Sequence, residues 1–158
     1  MTMRLLCLAM LLSVSAIVSA QTPPPGQTFD ALLKEVEAAQ VQLVSGKSAA
    51  FKALWSHGDD VTLSGGLGGV IAKGWADVSK RLDWVATQYV DGTRTHQEIA
   101  RYVGQDLAYV VLRETIRFKG PDGGVSVQEL RVTQVFRRLD GRWRIVHRHA
   151  DSQVNVGR

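Results

Sequence analysis

Cysteine is almost absent: the 158 residues hold one, Cys7. It falls in the first twenty residues, where Arg4 precedes an apolar run from Leu5 to Val18 and Val18-Ser19-Ala20 offers small residues for cleavage. This reads as a secretory signal peptide over 1–20, cleaved after Ala20, and no small-residue pair precedes Cys7 to mark a lipid-attachment site. The apolar run is shorter than the ~20 residues that span a bilayer, so a membrane anchor is the lesser alternative. The expected mature chain is cysteine-free, which excludes disulfides, thiolate nucleophiles, zinc–thiolate sites and iron–sulfur clusters in a protein bound for a secreted or periplasmic location.

Nucleotide-binding signatures are lacking as well. Gly65-Gly66-Leu67-Gly68-Gly69 has neither Gly-x-x-x-x-Gly-Lys-Ser/Thr nor Gly-x-Gly-x-x-Gly spacing, and no long strand leads into it. It reads as a mobile loop able to serve as a lid over a pocket. Charge of one sign is scarce: the formal net is +4, with no basic stripe interleaved with aromatics, so no nucleic-acid partner is expected. No membrane association is expected once the signal is removed.

Residues 21–27, with three prolines in a row, read as a linker, and 28–153 as one domain of ordinary size. Thr28 is placed to cap a helix carrying Phe29, Leu32, Leu33, Val36, Gln40, Leu43 and Val44 on one face before Gly46 stops it. Ser48 can cap a short second helix with Phe51, Leu54 and Trp55 on its core side. After a short strand, Val61 to Ser64, Gly74 opens a third helix whose Trp75, Val78, Leu82, Val85 and Tyr89 form a stripe. Trp84 lies off that stripe, as a subunit contact, a pocket wall or an isolated exposed aromatic.

From Thr93 the period changes from 3.6 to 2. Thr93–Val103, Leu107–Lys119, Val125–Leu139 and Arg142–Asp151 read as four long antiparallel strands. Asp140-Gly141 is a strong hairpin signal. Pairing Leu139 with Arg142 sets Phe136 opposite Ile145, Gln134 opposite His147, Val132 opposite His149 and Leu130 opposite Asp151 on one face, with Arg137 opposite Arg144 on the other. Like charges face each other only in water, so the arginine face belongs outside and His147, His149 and Asp151 inside. A turn at Gly120-Pro121-Asp122-Gly123 pairs Lys119 with Gly123 and Arg113 with Glu129, leaving Glu114 among the inward apolar residues of its strand. The first connection, Gly104-Gln105-Asp106, leaves two registers: one turns Gln97, Ile99, Arg101 and Val103 inward and is preferred, the other turns His96, Glu98 and Tyr102 inward.

Together these patterns predict an α+β fold, three N-terminal helices packed on a curved antiparallel sheet that forms a cone with an internal pocket. A buried carboxylate or imidazole needs a partner or a wet cavity, so Glu114, His147, His149 and Asp151 are the candidate acid–base residues, with Gln134, Phe136, Trp55 and Tyr89 as candidate substrate-binding residues. The alternatives are histidines satisfied in the core and a plain buried ion pair of Glu114 with Arg101. His147, His149 and Asp151 could supply three metal ligands, but neither a metal nor an organic cofactor is expected.

Thr133, Arg137-Arg138, Asp140-Gly141-Arg142-Trp143, Ile145-Val146-His147 and His149 make the chain resemble the SnoaL-like, nuclear transport factor two-like superfamily, which shares the ketosteroid isomerase-like fold. It is similar too to the association domain of calcium/calmodulin-dependent kinase. The resemblance implies the cone-shaped fold and leaves function open, because the fold hosts isomerases, dehydratases, cyclases, epoxide hydrolases and proteins without activity. Gln134 and Ala150 stand where the kinase association domain carries pocket arginines, which argues against a carboxylate ligand. Two readings follow. One is a cofactor-independent isomerase, lyase or hydrolase using a histidine–carboxylate pair on a small apolar molecule. The other is a ligand-binding or interaction module, and a homodimer through the outer sheet face, where Val111, Val135 and Val146 lie among arginines, suits both.

Overall fold

The computed structural model describes residues 27–152; the expected signal peptide, the linker up to residue 26 and the end of the domain at residue 153 lie outside them. Helix α1 (Phe29–Val44) begins where the Thr28 hydroxyl accepts the Ala31 N–H at 3.2 Å, an N-cap, and buries Phe29, Leu32, Val36, Ala39, Gln40, Leu43 and Val44. Helix α2 (Ala49–Lys52) is a single turn without a side-chain cap. Ser48 instead donates its hydroxyl to Asp83 at 2.6 Å, and Lys52 bonds the same carboxylate. Helix α3 (Trp75–Thr87) buries Val78, Leu82 and Ala86.

Strands β1 (Thr62–Ser64), β2 (Ala72–Lys73), β3 (Val90–Val103), β4 (Leu107–Lys119), β5 (Val125–Leu139) and β6 (Arg142–Ser152) form one sheet in the order β2-β1-β6-β5-β4-β3. The core lies between the helices and one face of this sheet. At its centre Phe29 of α1 meets Phe136 of β5 and Trp143 of β6 edge-on, with ring centroids 5.1 and 5.3 Å apart.

The β5–β6 hairpin starts in the expected register: Leu139 faces Arg142, Arg138 faces Trp143 and Phe136 faces Ile145. Then Val135 faces His147, so Val146 is an unpaired extra residue, a β-bulge. Because the side-chain period is two, the bulge reverses everything after it. Arg148 and Ala150 face the helices and are buried, whereas His149 is exposed and His147 and Asp151 are half-exposed on the opposite face. The expected inward row of His147, His149 and Asp151 is thereby corrected. The bulge sits where β6 changes its neighbour: Ile145 exchanges hydrogen bonds with Leu54 and Ser56, and from His147 onward the neighbour is β1, running parallel.

Two further registers differ from expectation. A longer connection sets Lys119 against Val125, two residues beyond the expected pairing, so Arg113 faces Arg131 and Glu114 faces Leu130. A shift of two preserves which face is which, and Glu114 stays inward, fully buried. Strand β3 is irregular near both ends, between Val90 and Thr93 and again around Ile99. Gly92 lies so close to α1 that a Cβ there would sit 2.1 Å from the Val44 carbonyl oxygen, a contact only glycine permits. This seats Arg94, two residues on, in the interior. From Ala100 to Val103 the pairing is the preferred one, Arg101 opposite Val110 and Val103 opposite Ala108, whereas the extra residue at Ile99 gives the other register before it, with His96 opposite Glu114 and Glu98 opposite Leu112.

Candidate functional site

The interior between α1, α3, the Gly65–Leu67 segment and the sheet holds a cavity with about 510 Å³ of atom-free space, open mouth included, of which only about 40 Å³ admits the centres of water-sized molecules. Its walls are apolar: Leu43 and Val44 from α1, Leu82 and Val85 from α3, and Leu67 from the loop. Three charged residues interrupt them. Glu114 of β4, 0% exposed, accepts from Arg94 of β3 at 2.7 Å and from both terminal nitrogens of Arg148 of β6 at 3.2 and 2.8 Å. The Arg94 side chain is 2% exposed and that of Arg148 11%.

Such a carboxylate cannot be buried alone. Burial pushes the Glu114 pKa up, and the charges and hydrogen bonds of Arg148 and Arg94 overcome it, bringing it down to about 2. The group is therefore ionised at any ordinary pH and a poor proton acceptor near neutrality. Since the folded-state value lies below the ordinary 4.5, the unfolded chain binds more protons between the two. Stability from this site should be complete above about pH 4.5 and lost as the pH falls toward about 2, which urea denaturation across that range checks.

The other sequence-derived candidates are dispersed. Tyr89 lines the cavity; its hydroxyl donates to Gln128 at 2.9 Å, and its pKa is raised to about 12, chiefly by burial. Gln134, fully buried, lines a small adjoining chamber beneath α1 and not the cavity itself. Phe136 and Trp55, 0% and 1% exposed, belong to the packed core and do not line the cavity. On the opposite sheet face Nδ1 of His147 lies 2.7 Å from the Thr62 hydroxyl, and its pKa is held below the ordinary value by burial and then by His149. Asp151 pairs with Arg131, and Arg101 with Glu98 and Asp30, so the expected Arg101–Glu114 pair does not form. Among the described residues no group of three histidine, cysteine or acidic side chains could hold a metal ion.

Sequence reasoning missed Arg94, Arg148 and the pairing of Glu37 with His96. Glu37 of α1 accepts from Arg94 and lies 3.1 Å from Nδ1 of His96. The cavity roof is held in an unexpected way too: Arg81 of α3 donates to the Gly68 carbonyl and lies over the Trp84 ring at 4.1 Å, which gives the off-stripe tryptophan a role as platform. Gly66 packs against the core so closely that a Cβ would meet Leu130 at 2.7 Å.

A six-stranded sheet with helices against one face defines the α+β class of the cystatin-like and nuclear transport factor 2-like folds, and solved structures bear this out. A protein from Thiobacillus denitrificans, assigned as a calcium/calmodulin-dependent protein kinase type II association domain, superposes with a TM-score of 0.68 at 19% identity, covering 83% of this chain and 99% of that one. A protein from Streptomyces avermitilis, assigned as a dehydratase of the NTF2-like family, gives 0.66 at 19% identity over 79% and 99%. One with a cystatin-like fold from Caulobacter vibrioides gives 0.62 at 16% over 78% and 89%. At these identities the likeness concerns the fold. No curated protein matches the sequence. The model of the SnoaL-like domain matches residues 34–154, and the chain belongs to that family.

Proposed function

We propose that this chain is a secreted or periplasmic protein that binds a small, largely apolar molecule in the cavity above Glu114, within a cone formed by the helices and the curved sheet. The observation that carries this is Glu114 itself, fully buried and bonded to two guanidiniums at the wall of an otherwise apolar cavity. The arrangement orients and rigidifies; with its carboxylate committed to both arginines, it does not shuttle protons at neutral pH. The space of about 40 Å³ open to water-sized centres is below the several hundred Å³ of ordinary ligand sites, so entry requires the Gly65–Gly69 loop to swing away from Leu130, releasing Arg81 from Gly68. Methyl NMR of Leu43, Leu67 and Leu82 during titration with steroid-like, polyketide-like and terpenoid compounds tests this. Saturable shifts at these three are expected for at least one class; no movement with any class contradicts it.

An acid–base enzyme of the isomerase, lyase or hydrolase kind is the second reading, and one observation favours it. His96 and Glu37 form the histidine–carboxylate pair that His147, His149 and Asp151 do not make with Glu114. Loss of turnover in His96→Gln, once a substrate is found, would separate it from binding alone.

The same reading includes a homodimer through the helix-free sheet face, where Val111 and Val135 lie half-buried in the isolated chain and Tyr102 stacks on Tyr109 at 5.8 Å. Kinase association domains among the structural relatives support assembly. Sedimentation should give a dimer that Val111→Asp dissociates; a monomer at every concentration removes this part.

A further inference from the structure

The chamber beneath α1 holds a residue that the cavity above Glu114 does not. Gln134 is fully buried, yet among the described residues neither its amide nitrogen nor its amide oxygen has a partner. Gln40 Oε1 and Arg94 Nε, in residues that line both this chamber and the larger cavity, are also unpaired. Buried polar atoms are ordinarily satisfied, and four unpaired around one small space point to something that occupies it. Leu33 and Val36 of α1 and Val110 and Leu112 of β4 complete its walls. The space admitting water-sized centres is about 40 Å³, room for about three waters or a group of three to four heavy atoms.

Charge narrows the occupant. Both terminal nitrogens of Arg94 are engaged, one by Glu114 and one by Glu37. Glu37 and Glu98 stand at the mouth, the latter held by Arg101 at 2.8 and 2.7 Å. An anion would meet two carboxylates on entry and find only the Arg94 Nε–H and the Gln134 amide as donors inside. A cation would lie beside a guanidinium. The unpaired atoms are two acceptors, Gln40 Oε1 and Gln134 Oε1, and two donors, Gln134 Nε2 and Arg94 Nε. Turning the Gln134 amide over leaves that balance unchanged.

We propose that this chamber is a subsite for a small neutral group that both donates and accepts hydrogen bonds, a primary carboxamide above all, entering at the mouth that Glu37 and Glu98 flank. Its N–H groups reach the two glutamine oxygens, and its carbonyl accepts from Gln134 Nε2 and Arg94 Nε. The site adjoins the cavity above Glu114, with Gln40 and Arg94 in both walls and Gln134 in this one alone.

Acetamide and its charged isostere acetate, titrated into the ¹⁵N-labelled chain, test the proposal. Acetamide is expected to shift the side-chain amide signals of Gln134 and Gln40 saturably, with acetate leaving them in place and the Leu67 and Leu82 methyls unmoved by either. Gln134→Leu should weaken acetamide binding at least tenfold. Should that variant fail to fold, Leu33→Phe, which fills the chamber without touching its polar atoms, should do the same. Acetate acting as strongly as acetamide overturns the neutral-group assignment. Glutamine signals unmoved by both compounds mean water only and overturn the subsite. Movement at Leu67 and Leu82 alone overturns it too, yet leaves the larger cavity's ligand-binding role standing.

Discussion

Replacing Glu114 by Gln is expected to cost about 3–5 kcal/mol of folding stability, the range for breaking a buried ion pair by removing one partner. The substitution barely changes volume, so packing contributes little. The loss comes from Arg94 and Arg148, whose side chains are 2% and 11% exposed and which would keep their charges with no carboxylate between them. Of the two arginines, Glu37, 38% exposed, reaches Arg94 and not Arg148. The companion experiment is the triple replacement Arg94→Met, Glu114→Leu, Arg148→Met. Apolar residues of similar volume relieve the desolvation of all three charges, so this variant should recover the stability lost by Glu114→Gln or exceed the wild type. Urea denaturation of the three proteins reads both effects. A Glu114→Gln midpoint equal to wild type would show that the arginines find water or other partners.

Deleting Val146 should be much milder, because it leaves every face of β6 as it is. The bulge is the one residue that breaks the alternation, so without it Ile145 stays inward, His147 outward and Arg148 inward in a regular ladder. What is lost is the Val146 side chain, 7% exposed, and the bend at which β6 passes from Leu54 and Ser56 to β1. A cost of about 1.5–3 kcal/mol, that of one buried aliphatic side chain, is expected. The deletion variant should therefore unfold cooperatively in urea at a lowered midpoint. A chain without a cooperative transition would show that the bend itself holds β6 against β1.

The same bulge explains how far the sequence could be read. The strands from Leu107 to Asp151 and the first helix follow from period and capping, and Glu114 was placed inward because β4 alternates along its whole length and pairs with β5 without a break. Even the misjudged Gly120–Gly124 connection did no harm there, since a two-residue error leaves the faces alone. An extra residue is different, because counting by twos carries it through every later position. His147, His149 and Asp151 were lost in this way, and irregular pairing near both ends of β3 hid Arg94. Two signals were present. Ile145-Val146 is an apolar pair in a strand that otherwise alternates, as two consecutive buried residues at a bulge would be. And a glutamate on a buried apolar face requires a cation, which Arg94 of the adjacent β3 and Arg148 of β6, beyond β5, offered.

The proposed binding, the rigidity and the acid sensitivity all rest on one arrangement, Glu114 ionised between two buried arginines. Its carboxyl carbon, observed by ¹³C NMR as the pH is lowered, tests that most directly. A midpoint near 2, with no chemical-shift change through the ordinary carboxylate range, is the result this account predicts. A midpoint at or above the ordinary 4.5 would mean that Arg94 and Arg148 do not hold the carboxylate, and would contradict it.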